Sequence, residues 1–154
     1  DDLGVAYSRE GKVSQAIASH KKALAIDSTY ATAYTHLGIA YSVAGQRQQA
    51  IRYHKQALVR DADLAPAHYN LGVEYFQMGR LDKAVASFEQ AVKLDGEYQR
   101  AYMALGRAYQ RQGKPEEMEK YLEKARQLQR LSLRKELSRS AMPWATGTPV
   151  KNDS

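Results

Sequence analysis

A spacing of 34 residues runs through this chain without an insertion or a deletion. Leu3, Leu37, Leu71 and Leu105 stand one period apart, and each carries the same followers: Gly4, Gly38, Gly72 and Gly106, then Tyr7, Tyr41, Tyr75 and Tyr109, then Gly11, Gly45, Gly79 and Gly113. The second half of the period repeats too. Ala23, Ala57, Ala91 and Ala125 do not change, Ala16, Ala50 and Ala84 become Met118, and His20 and His54 become Phe88 and Leu122. A gapless period of this length in a polar, helix-rich chain points to stacked helical hairpins.

Each period reads as two helices. In the second copy, residues 31–44 place Tyr34, Leu37, Tyr41 and Ala44 at helical spacing, Gly45 breaks the run, and residues 47–60 carry Ala50, Ile51, His54, Ala57 and Leu58 on one stripe. The small residues set the packing: Gly38 and Gly72 let a neighbouring helix approach the backbone, while the alanines do so at good helix propensity. Gly11, Gly45, Gly79 and Gly113 serve as helix stops in the left-handed conformation. Pro115 opens a helix, with Glu116 and Glu117 in its first turn. Asp27, Asp61 and Asp95 close the second helices, where their side chains are expected to bond nearby backbone N–H groups and shape the turn.

The run Tyr34-x-x-Leu37-Gly38-x-x-Tyr41, followed by Ala50-x-x-x-His54-x-x-Ala57 and echoed in the other copies, resembles the tetratricopeptide repeat family over residues 1–130. The resemblance implies an all-α fold, a right-handed α-α superhelix of antiparallel hairpins with about 3.5 repeats and a C-terminal capping helix. The repeat domain then spans 1–140, with a partial repeat at 1–30, full ones at 31–64, 65–98 and 99–130, a cap at 127–140 and a flexible tail at 141–154. Two departures stand out. Ser28, Ala62 and Gly96 replace the family's inter-repeat proline, and Tyr34, His68 and Tyr102 replace its tryptophan.

The 154 residues are one domain by length, enough for a globular chain to bury about 70% of its unfolded surface; a solenoid is less compact. Without cysteine there is no disulfide framework, thiolate chemistry or Cys-based zinc site. No apolar run approaches a spanning helix, so no transmembrane segment is expected, and the first residues do not read as a signal peptide. A soluble chain follows, with the cytoplasm favoured. The absence of an initiator Met and the start partway through a repeat suggest a fragment or a processed form. The net charge of +6 is uneven: residues 1–99 hold eleven basic and eleven acidic side chains, whereas 100–139 hold eleven against five. Solvated helical faces account for most such asymmetry, and an acidic partner is the alternative.

After Ala125 the sequence Gln127–Leu137 has no Gly or Pro, so the last second helix either continues or breaks near Ser132 into a separate cap. In both cases its leucines are expected to face the last repeat and its Arg and Lys side chains to face water. From Ala141 on, periodicity stops, and Trp144 is the one candidate anchor.

No catalytic constellation emerges. His20 and His54 share one repeat slot and so lie a repeat apart, and Phe88 and Leu122 in that slot argue for packing. His36 and His68 have no evident supporting shell, so neither metal nor cofactor is expected. Glu116 and Glu117 are adjacent on a helix start and do not face each other as an acid/base pair must. No nucleophile motif or phosphate-cradling loop is present, and no enzymatic activity is expected.

What remains is a surface. In the family this chain resembles, the first helices line a concave groove that holds a peptide, and matching that face selects Thr35, Ile39, Ser42 and Val43 in the second copy. The third supplies Pro66, Tyr69, Asn70, Val73, Phe76 and Gln77, and the fourth Arg100, Met103, Arg107, Gln110 and Arg111. One subclass clamps a carboxylate with basic and amide groups from three first helices. Asn70 and Arg100 match that clamp, but Thr35, Ile39 and Ala104 do not, so it is incomplete. The partner implied is another protein, contributing a segment with one or two apolar anchors followed by acidic residues. Self-association, through the open N-terminal edge or a neighbour's tail in the groove, is an alternative. Nucleic acid or an anionic surface on residues 100–139 is disfavoured, since the aromatics there, Tyr102, Tyr109 and Tyr121, fall in or near packing slots.

Overall fold

A computed structural model describes residues 2–140, with the side chains of Asp2, Leu3 and Arg9 excepted; the expected tail at 141–154, with Trp144, lies outside the described residues. Among the described residues eight helices follow one another: α1 (Asp2–Arg9), α2 (Val13–Ile26), α3 (Ala31–Val43), α4 (Arg47–Arg60), α5 (Ala65–Gln77), α6 (Leu81–Leu94), α7 (Gln99–Arg111) and α8 (Pro115–Ser140). They pair as the hairpins α1–α2, α3–α4, α5–α6 and α7–α8, and each second helix also packs on the first helix of the next hairpin. First helices touch across repeats, α1 on α3, α3 on α5 and α5 on α7, whereas second helices do not touch one another among the described residues. The first helices therefore crowd the inner side of the curve and form its concave wall.

The helix stops repeat atom for atom. At Gly45 the backbone takes φ 74°, its N–H bonds to the Ser42 carbonyl at 2.9 Å, and the Gln46 N–H reaches the Tyr41 carbonyl at 2.9 Å. This is a Schellman closure, and only a residue without Cβ takes that φ cheaply. Gly11, Gly79 and Gly113 close their helices with the same pair of bonds. At the other turn, Asp27, Asp61 and Asp95 each accept a bond from the backbone N–H two residues on, at 2.9, 3.0 and 2.9 Å. The Thr29 hydroxyl adds a second bond to Asp27, and these contacts hold that carboxyl below the usual aspartate value.

Within each hairpin a large side chain of the second helix lies flat on the glycine of the first. A Cβ placed on Gly72 would stand 2.6 Å from the Phe88 ring; Gly4 meets His20, Gly38 meets His54 and Gly106 meets Leu122 in the same way. Around these contacts runs a core that includes Ile51, Leu71, Tyr75, Val85, Phe88 and Leu105. Tyr41 stacks on Tyr53 with ring centres 5.2 Å apart, and Tyr109 stacks on Tyr121 at 5.4 Å.

Of the two courses open to the C-terminal helix it takes the first: it does not break at Ser132 but runs unbroken for 26 residues, about 39 Å at 1.5 Å per residue. Ala125 is buried and Leu128 half-buried, but Leu131, Leu133 and Leu137 are 51%, 55% and 60% exposed, so these three leucines do not face the last repeat. Past the end of its hairpin, the continuing helix finds no apolar surface to pack on among the described residues. Its distal contact with the body is a Lys135–Glu97 approach at 3.9 Å, a surface pair worth little.

Two outcomes check this packing. Gly72→Ala forces the new methyl into the Phe88 ring and is expected to cost about 1–3 kcal/mol in chemical denaturation. Gly96→Ala, where an added Cβ meets nothing within 4 Å, is the neutral control. A chain ended at residue 130 is expected to melt within about 2 °C of the full chain, since surface groups rarely shift stability much. One ended at residue 114 uncovers Leu105 and Ala108 of α7 and should aggregate.

Candidate functional site: the concave groove

Side chains on α5 and α7 that point away from the second helices meet across the groove. Tyr69, Val73, Phe76 and Gln77 from α5 and Arg100, Met103 and Arg107 from α7 surround a hollow of about 350 Å³, floored by Phe88 and Ala104. Seven of the residues expected in the groove thus come together in one place. Neither Phe88 nor Ala104 was among the expected groove residues: Phe88 read as a packing position, and Ala104 stood at a clamp position without the basic or amide group that the clamp needs.

The hollow's aromatics are held by its cations. The Arg100 guanidinium lies 5.2 Å from the centre of the Tyr69 ring, and the Arg111 guanidinium lies 4.2 Å from that of Phe76. Arg111 also sits 3.5 Å from the Phe76 carbonyl, near the end of α5 where carbonyls lack helical partners. Tyr69 is further fixed by Tyr98 and Phe88, with ring centres at 5.1 and 5.8 Å. Arg107 differs from both. It is exposed on the rim with no hydrogen bond or ion pair among the described residues.

The second copy contributes less. Ile39 and Val43 line a separate hollow of about 290 Å³ with Val5, Ser8, His20 and His36. Thr35 is 3% exposed and its hydroxyl has no hydrogen-bond partner among the described residues, so it lies on the packed face of α3 and not on the groove surface. The Ser42 hydroxyl donates to the Glu74 carboxylate one repeat on. Asn70 turns its Nδ2 to the Pro66 carbonyl at 2.8 Å, and Gln110 is exposed on α7 outside both hollows.

Glu74 is the residue that sequence reasoning passed over. It is 1% exposed, accepts from Ser42 and stands 3.5 Å from the Arg47 guanidinium, tying the third repeat to the second. The signal was present: the same position in the other copies is Ala6, Ala40 and Ala108. A carboxylate in an alanine slot must find partners or stay protonated.

Burial holds the imidazoles of His20 and His54 well below their ordinary value, at about 4, His20 with a further push from His36 beside it. Burial and a 2.9 Å hydrogen bond to Glu89 raise the Tyr109 phenol. Among the described residues no group of three or more acidic, histidine or cysteine side chains is placed to hold a metal, and no helix is long and apolar enough to cross a membrane.

Models described as tetratricopeptide repeat match residues 31–60, 65–98 and 99–130, and one described as TPR repeat matches 4–42. No curated protein matches the sequence. Among solved structures, a crystal structure of MamA is 34% identical, covers 86% of this chain and 78% of its own, and superposes with a TM-score of 0.80. A second MamA structure is 32% identical over 96% of this chain and 76% of that one, with a TM-score of 0.75. PilF of Pseudomonas aeruginosa is 27% identical over 84% of this chain, which spans 59% of the PilF chain, with a TM-score of 0.79. With four repeat matches in succession and 34% identity to MamA over 86% of its length, the chain belongs to the tetratricopeptide repeat family.

Proposed function

We propose that this chain is a non-enzymatic interaction module that holds a peptide segment of a partner protein in its concave groove. Arrays of this family act as protein-interaction scaffolds. The observation that carries the finer reading is the hollow between α5 and α7, where an apolar wall of Tyr69, Val73, Phe76 and Met103 stands beside Arg107, whose side chain has no hydrogen bond or ion pair among the described residues. Such a site suits one or two apolar anchors followed by acidic residues: the anchor removes aromatic and thioether surface from water, and Arg107 offers a charge-assisted hydrogen bond. Arg100 and Arg111 already lie against Tyr69 and Phe76, so their first role is to hold those rings. A reading as a nucleic-acid surface is weaker. Tyr102, Tyr109 and Tyr121 pack on one another and present few free faces for base stacking. Self-association stays as an outcome to be distinguished, since a second copy could supply the segment.

The test is an immobilised array of short peptides, probed with the full chain and its variants. Peptides with an apolar residue followed by Asp or Glu are expected to bind. Phe76→Ala should cost about 1–3 kcal/mol as loss of an aromatic anchor. Arg107→Ala should slow association and flatten its salt dependence. Arg111→Ala and Phe76→Ala should be markedly non-additive because the two side chains touch. Lys22→Ala, on the exposed side of α2, is the neutral control. If Phe76→Ala and Arg107→Ala leave every bound peptide's affinity unchanged in folded protein, the groove is not the binding surface.

A further inference from the structure

The slot over each first-helix glycine holds His20, His54, Phe88 and Leu122 in turn, so the N-terminal two hairpins are closed by residues that can take a proton and the C-terminal two by residues that cannot. His54 is the clearer case. It is fully buried, its ring lies on the backbone of α3 at Gly38, and neither ring nitrogen has a hydrogen-bond partner among the described residues. As a neutral imidazole it behaves as an apolar plug. As an imidazolium it would bring a charge and two N–H donors into a space without an acceptor.

The ionisable groups on the helices around it do not relieve this. Glu74 of α5 is bonded to Ser42 and Arg47, and His68 of α5 is turned to the Ala62 carbonyl at 2.9 Å. On α3, Tyr34 lies under Arg60 and Tyr41 is stacked on Tyr53, while His36 stands beside His20 with ring centres 5.6 Å apart. A proton on His36 opposes a second one on His20.

We propose that the array carries a proton-operated release of its N-terminal half: as pH falls below neutral, protonation of His54 in its slot over Gly38 unseats α4 from α3 and opens the hairpins α1–α4, while those closed by Phe88 and Leu122 stay folded. The N-terminal hollow, formed by α1, α2 and α3, is taken apart with them. The direction follows from linkage. Burial holds the folded His54 at about 4 against an ordinary 6.5, so the opened state binds the proton first. The stability that this residue contributes is complete above 6.5 and is lost as pH falls toward 4. Over that window the open population grows about 10-fold per pH unit for one such histidine, or about 30-fold at pH 5. His20, depressed to a similar value in the same slot, acts in the same direction.

The experiment needs no ligand and so does not depend on the groove reading. Native-state hydrogen exchange of the full chain, expressed as protection factors to remove the intrinsic pH dependence, is compared at pH 7.5 and 5.0. Protection in residues 31–60 is expected to fall at least about 30-fold relative to residues 65–125. The double variant His20→Phe with His54→Phe should abolish that difference. His54→Leu, borrowing the residue of slot 122, is made in parallel in case the phenyl ring does not fit. The NMR titration of the His54 ring in the wild-type chain is an independent reading, expected to show no titration in the folded state down to about pH 5. Equal loss of protection in both halves, an unchanged pH effect in the variants, or titration of folded His54 near 6.5 would each overturn the proposal.

Discussion

The contact between a first-helix glycine and a large second-helix side chain is what the rest of this structure depends on. Removing the Cβ at Gly4, Gly38, Gly72 and Gly106 lets a ring or a branched side chain lie directly on helix backbone. That sets how closely the two helices of a hairpin approach. The alanines at 16, 50, 84 and at 57, 91, 125 keep the neighbouring surfaces equally close, and all six but Ala125 are essentially without exposure. Helices held so near must be ended sharply, which the glycine closures at 11, 45, 79 and 113 do with one repeated pair of backbone bonds.

Once each hairpin is a flat, close pair, stacking is nearly forced. A hairpin has two faces and buries one on each neighbour, so first helices meet on the inner side of the curve and their outward-pointing residues are released from packing. Function can collect there without cost to the fold. The third and fourth repeats use the freedom fully, with aromatic, thioether and guanidinium groups around one hollow. The second repeat uses it less, because Thr35 turns inward and Ser42 is bonded to Glu74.

The fold was legible because periodicity reports packing, and packing here is periodic. Leu37, Gly38, Tyr41, Gly45 and Ala50 predict the first helix, its stop and the start of the second, and the aspartates at 27, 61 and 95 form the turns read from them. The groove was legible only in part. A position that points outward in an average repeat is judged by its repeat number, whereas Thr35 is buried and Arg111 is drawn back onto Phe76 by neighbours specific to this chain. The leucines of α8 misled for a related reason. Spacing says which residues share a helical face, but not whether anything stands opposite it, and among the described residues nothing buries Leu131, Leu133 or Leu137.

Glu74 shows where packing and groove cease to be separate. It grows from a slot that holds alanine in the other copies, so it must displace volume at the junction of the second and third repeats. Its carboxylate is satisfied by Ser42, on the last turn of α3, and by Arg47, on the first turn of α4. A carboxylate with so little exposure depends on its partners: without Arg47 it would lack a countercharge and without Ser42 a hydrogen-bond donor, and breaking such a buried set costs more than a surface pair is worth. The two contacts thus join the end of α3 and the start of α4 to α5, across the junction of the second and third hairpins. The N-terminal hollow lies on one side of that joint and the aromatic hollow on the other. Under the proposed groove reading, a ligand long enough to reach both would cross this joint, which is tied by a residue that lines neither hollow.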